Sequence, residues 1–473
     1  MSVRPGFIRA VSILPALFIG LWAVDDVAAQ ETTENRQPTI TDVLQQIEKN
    51  GNFSINAAMA DIDIANARRD AAMAGLYPRL TLSVAGRAFR PSPYVYRNER
   101  REIFGDLEVI QPLYDFGKTS SAIEAANRDT AAAADLLISA RNAVLIEGMA
   151  LFFDLHASEL EMRSFYEAHS SAYVRWERSK ESLKLGQSSP IDVAEALTLV
   201  EQTRLDYYRE RNRNVALRLR LEELTGHFIE EELISPPKPP LTSPPDLDRQ
   251  KFSETVALKN PGLMSLIKQA EAKGILRDGV GNRPNIEAYG TVGKTSRKLR
   301  RRNDYAIGAR LSWPIFDGGI NQSRRSQLAA EESRINAAIG HKRSQLRVQA
   351  NEALLEVQNS YQQVVAARAK LDYAGRNLLR RQQLYQQDRV ADLGRAMIEN
   401  TAAEAGVVRA TGIYLLDLAR ISVLLGDSPA KALEANFLTS LNEQSGGPVE
   451  QYTPKSGSGF GQTDQDKINR KTE

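Results

Sequence analysis

Four histidines, His156, His169, His227 and His341, are the only imidazoles in this chain, and no two of them stand at a metal-ligand spacing. Cysteine is absent, so a zinc site has little to be built from. There is no Gly-x-Ser-x-Gly elbow, no HExxH and no phosphate loop; the glycines of 274–281 precede a strand pattern, the wrong order for a phosphate cradle. Carboxylates are numerous but stand mostly on helix faces beside Arg or Lys, where solvated i,i+4 pairing is the default. The residue types predict no enzyme, no cofactor and no metal. Energy for any transport would have to come from a partner.

The informative residues are structural, and they come twice. IQPLYDFG at 110–117 is echoed by SWPIFDGG at 312–319. Pro112 pairs with Pro314, Tyr114 with Phe316, Asp115 with Asp317 and Gly117 with Gly319, each 202 positions apart. Upstream, Gly75-Leu76-Tyr77-Pro78 resembles Gly281-Asn282-Arg283-Pro284 at a spacing of 206. The chain therefore reads as two copies of one unit, repeat 1 over 30–231 and repeat 2 over 251–435. Between them lies a Pro-rich linker, 232–250, with six prolines in the eleven residues 235–245, too many for helix or central strand. The polar tail, 436–473, is expected to be disordered.

Each copy predicts the order helix, β-hairpin, long helix, returning helix. The first helices are expected at 41–74 and 252–278. Strands are expected at about 79–89 and 103–111 in copy one, and about 285–292 and 305–313 in copy two, on period-two alternation. The echoed phrase should end the second strand of each hairpin, with Pro112 and Pro314 breaking the ladder and Gly117 and Gly319 ending the extended run. Long helices follow at about 121–185 and 322–387, each without proline. Some 65 residues make a rod of roughly 100 Å, longer than a globular core needs. Sevenfold series run along both rods, Leu155, Met162, His169, Trp176 and Leu183 in one and Ala350, Val357, Val364, Leu371, Leu378 and Tyr385 in the other. Returning helices are expected at 191–224 and 393–425.

With 473 residues, 61 basic and 59 acidic, bulk charge names no partner. The first 29 residues carry Arg4 and Arg9, an apolar run over 10–24 and small residues at 27–29. That is the grammar of a signal peptide, 1–29; an uncleaved anchor is the alternative, for which the run is short. If the protein spans a membrane, it does so with strands. Four strands cannot close a barrel, and an open edge cannot stand in lipid, so several chains would have to form a ring; three would give twelve strands. A small soluble hairpin layer is the other possibility. Aromatics near the strand ends favour the membrane reading. The hairpin loops are basic, notably Arg297, Lys298, Arg300, Arg301 and Arg302. An export signal argues against nucleic acid, leaving outer-membrane lipid or lipopolysaccharide phosphates as partners, or plain solvated tips.

In its duplication, its Tyr-Pro-x-Leu and Arg-Pro-x-Ile strand entries, its two Pro-x-aromatic-Asp corners, Asn260-Pro261 and the Leu-x-x-Gly turn at 183–186, the chain resembles the TolC-type outer-membrane efflux protein family over nearly all of 40–430. The resemblance implies a mainly α protein with a small β part. It further implies a homotrimer whose twelve-stranded outer-membrane β-barrel continues as a periplasmic α-helical barrel. The implied function is a passive exit duct of a tripartite efflux or type I secretion system, working with a periplasmic adaptor protein and an inner-membrane transporter, ABC or proton-driven. A periplasmic coiled-coil scaffold tethered by an uncleaved N-terminus is the alternative.

The family also implies site residues. The turn after the first long helix would be a periplasmic tip for adaptor docking, with Gly186, Gln187 and Ser188; its counterpart holds Asp388 and Arg389, Asp388 standing where the second tip glycine is expected. Ser188 or Ser189 could cap the returning helix, with Pro190 at its first position. Asp192 and Tyr385 occupy the positions that latch the closed tip. The positions of the family's acidic rings hold Gly394 and Met397, with Arg395 between them and Asp392 and Glu399 nearby. A weaker acidic constriction and less cation preference are expected.

Overall fold

The two proline-free stretches form two helices of equal length. In a computed structural model, described over residues 39–88, 101–226, 244, 247–295, 305–387, 392–434 and 436–445, α3 runs Lys118–Lys184 and α7 runs Ile320–Gln386, 67 residues each. At 1.5 Å per residue each is about 100 Å long. They start 202 positions apart, as the duplication requires. The returning helices are α4, Pro190–Thr225, and α8, Leu393–Leu424. The signal peptide, most of the linker and the tail beyond 445 lie outside the described residues, as do Asp388, Arg389 and the basic loop residues Arg297, Lys298, Arg300, Arg301 and Arg302.

The first helix of each copy is broken, where the sequence suggested one run. Copy one has α1, Ile40–Asn50, and α2, Phe53–Met73. Between them Gly51 takes φ 65° and Asn52 accepts from the Ser54 N–H. Copy two has α5, Arg249–Lys259, and α6, Pro261–Gly279. Asn260 caps α6 through the Leu263 N–H, and Pro261 takes its first position. Glycine and proline override the helical period on either side. The tail expectation needs a similar correction. Residues Phe437–Ser445 form α9, after a 3₁₀ turn at Pro429–Leu433. Phe437 and Leu441 are buried in the main core, which holds this part of an otherwise polar stretch.

The strands are β1, Arg79–Ala88; β2, Arg101–Tyr114; β3, Asn285–Thr295; and β4, Tyr305–Ser312. They form one antiparallel sheet in the order β1-β2-β3-β4. The hairpins of the two copies thus join through β2 and β3, elements some 170 residues apart. Pro112 does not end β2: it lies inside it, opposite Glu287, at a bulge that spans Pro112 and Tyr114. A bulge is a site that tolerates a missing ladder donor. Pro314, by contrast, lies beyond the end of β4.

The copies interlock around α3. Above the middle it packs between α2 and α6; below, it packs between α4 and α8. Helix α7 flanks α6 and α8 on the far side. The core sits halfway along the rods, where α1, α5 and the 3₁₀ turn close over Leu145, Phe152, Leu155, Val357, Val364 and Tyr414. A stretch of α3 is apolar enough in composition to cross a membrane, but that stretch supplies this core. Toward the turn the sevenfold seam loses cover: Ala350, Val357 and Val364 are buried, Leu371 and Leu378 half-buried, and Tyr385 exposed.

Candidate functional site

Three places could do the work of a duct: the sheet, the two corners below it and the helical tip. In the sheet, register decides which residues share a face. Leu82 stands opposite Leu107, Leu107 opposite Val292, and Val292 opposite Tyr305. With Leu80, Val84, Ile103, Val109, Ile307 and Leu311 they form one apolar face. It is uncovered: Leu82 is 72% and Ile307 89% exposed. The other face carries Thr81, Ser83, Asp106, Glu108, Thr291 and the pair Arg310 and Glu287. Near the far end of the hairpin, Arg87 meets Glu102 at 2.7 Å, and Glu102 is buried there. An apolar exposed face backed by a charged one is the pattern of a barrel wall with lipid outside and water inside. Strands β1 and β4 are the open edges of this sheet.

Each corner is built around its aspartate. The Asp115 carboxylate accepts the Gly117 N–H at 3.1 Å and the Thr119 N–H at 2.7 Å. Asp317 accepts the Gly319 and Asn321 N–H groups, both at 2.9 Å. Each thereby satisfies N–H groups at the start of a long helix. Burial acts to raise the Asp115 pKa, but the bonds from Thr119, Gly117 and Lys118 win and lower it. Asp317 is lowered by its bond from Asn321 in the same way. Gly117 and Gly319, at φ 92° and 88°, supply the left-handed step. The preceding position differs: Gly318 sits at φ 68°, and Phe116 adopts φ 52° despite its side chain. The Phe116 ring packs edge-on against Tyr114, with centroids 4.7 Å apart. The echo flagged the corners, but proline and glycine drew the attention that the aspartates warranted. Arg283 braces copy one's corner from copy two, donating to the Phe116 and Asp278 carbonyls at 2.5 and 2.6 Å.

At the tip, Gly186 takes φ 70° and Ser189 caps α4 with Pro190 behind it. The capping box is reciprocal: the Asp192 N–H donates to Ser189 Oγ at 3.2 Å, and the Ser189 N–H donates to Asp192 Oδ2 at 2.8 Å. Ser188 Oγ adds a bond to the same oxygen at 3.0 Å. These bonds, first that from the Ser189 backbone, hold the Asp192 carboxyl below its ordinary value. Gln187 closes the turn by donating its N–H to the Ser182 carbonyl. Tyr385 is 63% exposed, and among the described residues no bond joins it to Asp192. Asp392 caps α8 through the Arg395 N–H and accepts Arg175 of α3 at 2.9 Å. Arg395 turns to Glu399 at 3.0 Å. On the copy-two side of the tip Asp392 and Glu399 are thus each matched by an arginine, whereas Asp192 is held by serines.

Sequence reading missed the clamp that joins the two coils above the tip. Glu161 of α3 accepts Arg409 of α8 in a two-point contact of 2.9 and 2.7 Å, and Arg213 of α4 lies 3.5 Å from it. The three residues stand 52 to 248 positions apart and share no local pattern.

Residues 43–227 match the family model described as outer membrane efflux protein. A 211-residue stretch, 44% of this chain, is 25% identical to the outer membrane protein TolC of Vibrio cholerae, and it spans about half, 47%, of that relative's length. Among solved structures, the CmeC outer membrane channel of Campylobacter jejuni superimposes with a TM-score of 0.67 at 16% identity, over 91% of this chain and 98% of that one. The MtrE outer membrane channel of Neisseria gonorrhoeae, in its open state, gives 0.61 at 18% identity over 84% and 90%. With the duplicated corners, the two-faced sheet and these likenesses together, the chain is similar to the outer membrane efflux proteins, in sequence over residues 43–227 and in fold over most of its length.

Proposed function

We propose that this chain is one part of a passive exit duct through the outer membrane, serving a tripartite efflux or type I secretion system. The observation that carries the reading is the four-stranded sheet with one exposed apolar face, one charged face and two open edges. Such a sheet is tolerable in lipid only if its edges are paired. Copies of the same chain pair β1 of one with β4 of the next, and three copies give the twelve strands of a closed wall. A soluble periplasmic scaffold has no use for an uncovered apolar sheet face.

The tip is the gate. Tyr385 donates to Asp192 across or within subunits in the closed state, and the bond yields when an adaptor seats on Gly186, Gln187, Ser188, Asp388 and Arg389. An inner-membrane transporter, ABC or proton-driven, supplies the energy. The loop cations Arg297, Lys298, Arg300, Arg301 and Arg302 meet lipid or lipopolysaccharide phosphates. Purified outer membranes solubilised in mild detergent test the core of this reading. It requires a particle of three chains that conducts ions in a planar bilayer. A water-soluble monomer recovered from the periplasm would end it.

A further inference from the structure

A cleft of about 670 Å³ opens at the base of the sheet, where the two corners meet. The strand residues that line it include Arg79, Ile110, Glu287 and Ser312, and all have the parity of the charged face. On the duct reading, on which this inference rests, that face looks into the lumen. Four cations border the cleft, Arg79, Lys118, Arg283 and Arg324, against two carboxylates, Asp115 and Glu287. Asp115 is taken up by backbone N–H groups. Glu287 is taken up by Asn285 at 2.6 Å and by a fifth cation, Arg310.

None of the four bordering cations makes a direct ion-pair contact with a carboxylate among the described residues, though Arg324 lies within electrostatic reach of Glu331, which itself contacts Lys273 at 3.0 Å. Arg283 donates to two carbonyls, and Arg324 to Gln327 Oε1 at 3.0 Å. The side chains of Arg79 and Lys118 have no hydrogen-bond or ion-pair partner among the described residues. Several cations elsewhere do meet carboxylates: Arg409 meets Glu161, Arg175 meets Asp392 and Lys268 meets Asp135. A cation held by a carbonyl or an amide keeps its full field, and low-dielectric walls concentrate that field across a cleft. At the tip, Asp392 and Glu399 are paired with Arg175 and Arg395, which leaves Asp192 as an acid held by serines alone.

We propose that this cleft is an anion-selecting station in the wall of the duct, one per chain. It favours the passage of solutes that carry carboxylate, phosphate or sulfonate groups over cationic ones. Arg79, Lys118 and Arg324 set the preference, while Arg283 also braces the corner.

The test is the reversal potential of the purified full-length protein in a planar bilayer under a potassium chloride gradient centred near 0.1 M, where the screening length is about 10 Å. Wild-type channels should pass chloride in preference to potassium. The triple variant Arg79→Gln, Lys118→Gln, Arg324→Gln should lower that permeability ratio about threefold, a shift of roughly one thermal unit of potential. A control with three cations removed elsewhere, Arg141→Gln, Arg204→Gln, Arg376→Gln, should keep the wild-type ratio. Should the triple variant not fold, the wild type alone still decides: its preference must shrink near 1 M salt, where the screening length is about 3 Å. Conducting channels that prefer potassium, or a triple variant with an unchanged ratio, would overturn the station and leave the duct standing. A wild-type protein that never conducts would overturn the duct and the station with it.

Discussion

Asp192 serves the fold through its bonds and is also the carboxylate of the proposed latch. Its carboxylate closes the capping box of α4 and also takes the Ser188 hydroxyl. These bonds lower its pKa from an ordinary 3.8. The sign follows directly: the folded tip is stabilised wherever the carboxylate is ionised, and that contribution is lost as pH falls through the lowered value. We expect the protection factors of the amides at residues 191–193, exchange taken relative to the intrinsic rate at each pH, to be high at neutral pH and to fall below pH about 4, the ordinary carboxylate range. Asp192→Asn should lower those protection factors and remove their dependence on pH. Ser189→Ala removes the other half of the box and should cost about 1 kcal/mol, read by denaturant titration. A cap at Ser188 or Ser189 ahead of Pro190 was legible in the sequence; that Ser189 closes a reciprocal box with Asp192 was not. That Asp115 and Asp317 cap the long helices was not, because the cap forms only once the glycines at 117 and 319 have turned the chain.

Between elements, contact distance sets what can change. Helices α3 and α8 approach closely at Gly412, where an added Cβ would meet the Phe153 Cβ at 2.7 Å. Phe153 cannot give way there without moving the backbone of α3. Gly412→Ala should therefore destabilise the protein by about 1–2 kcal/mol despite its better helix propensity, measured by thermal melting. The proposed gate is separable from this packing. Tyr385→Phe removes one hydroxyl from an exposed ring, so the melting temperature should stay within error while single-channel conductance rises. Unchanged conductance would leave Tyr385 as only the last member of its heptad seam. Among the elements, the long helices were plain from the absence of proline and from the sevenfold series. The breaks at Gly51 and Asn260 and the helix at 437–445 were not. The first two depend on capping that competes with a continuing helical period, and the third on a core that the tail reaches only after folding.

For the whole molecule, the proposed duct turns on which sheet face meets lipid. Leu82 and Ser83 are adjacent in β1 and point to opposite faces. Leu82→Arg should cost about 2–4 kcal/mol of insertion free energy if its face lies near the bilayer midplane, and Ser83→Arg close to nothing. The yield of membrane-inserted, folded protein for the two variants reads this directly. Equal yields would mean that neither face is lipid-facing. The same comparison bears on the proposed assembly, in which a sheet of four strands borrows its remaining edges from other copies.

The sequence by itself determined the duplication, the strand alternation, the corners and the rods, because each rests on residues close together in the chain: a period of two or seven, a proline, a glycine, a cap. It could not determine what the copies do to each other. Only the tertiary structure joined β2 to β3, set Arg283 of one copy against the corner of the other, held Glu161 between Arg213 and Arg409, and gathered Arg79, Lys118 and Arg324 around one cleft. These are meetings of side chains far apart in sequence. No local propensity encodes them, and they exist only after the helices and strands have packed.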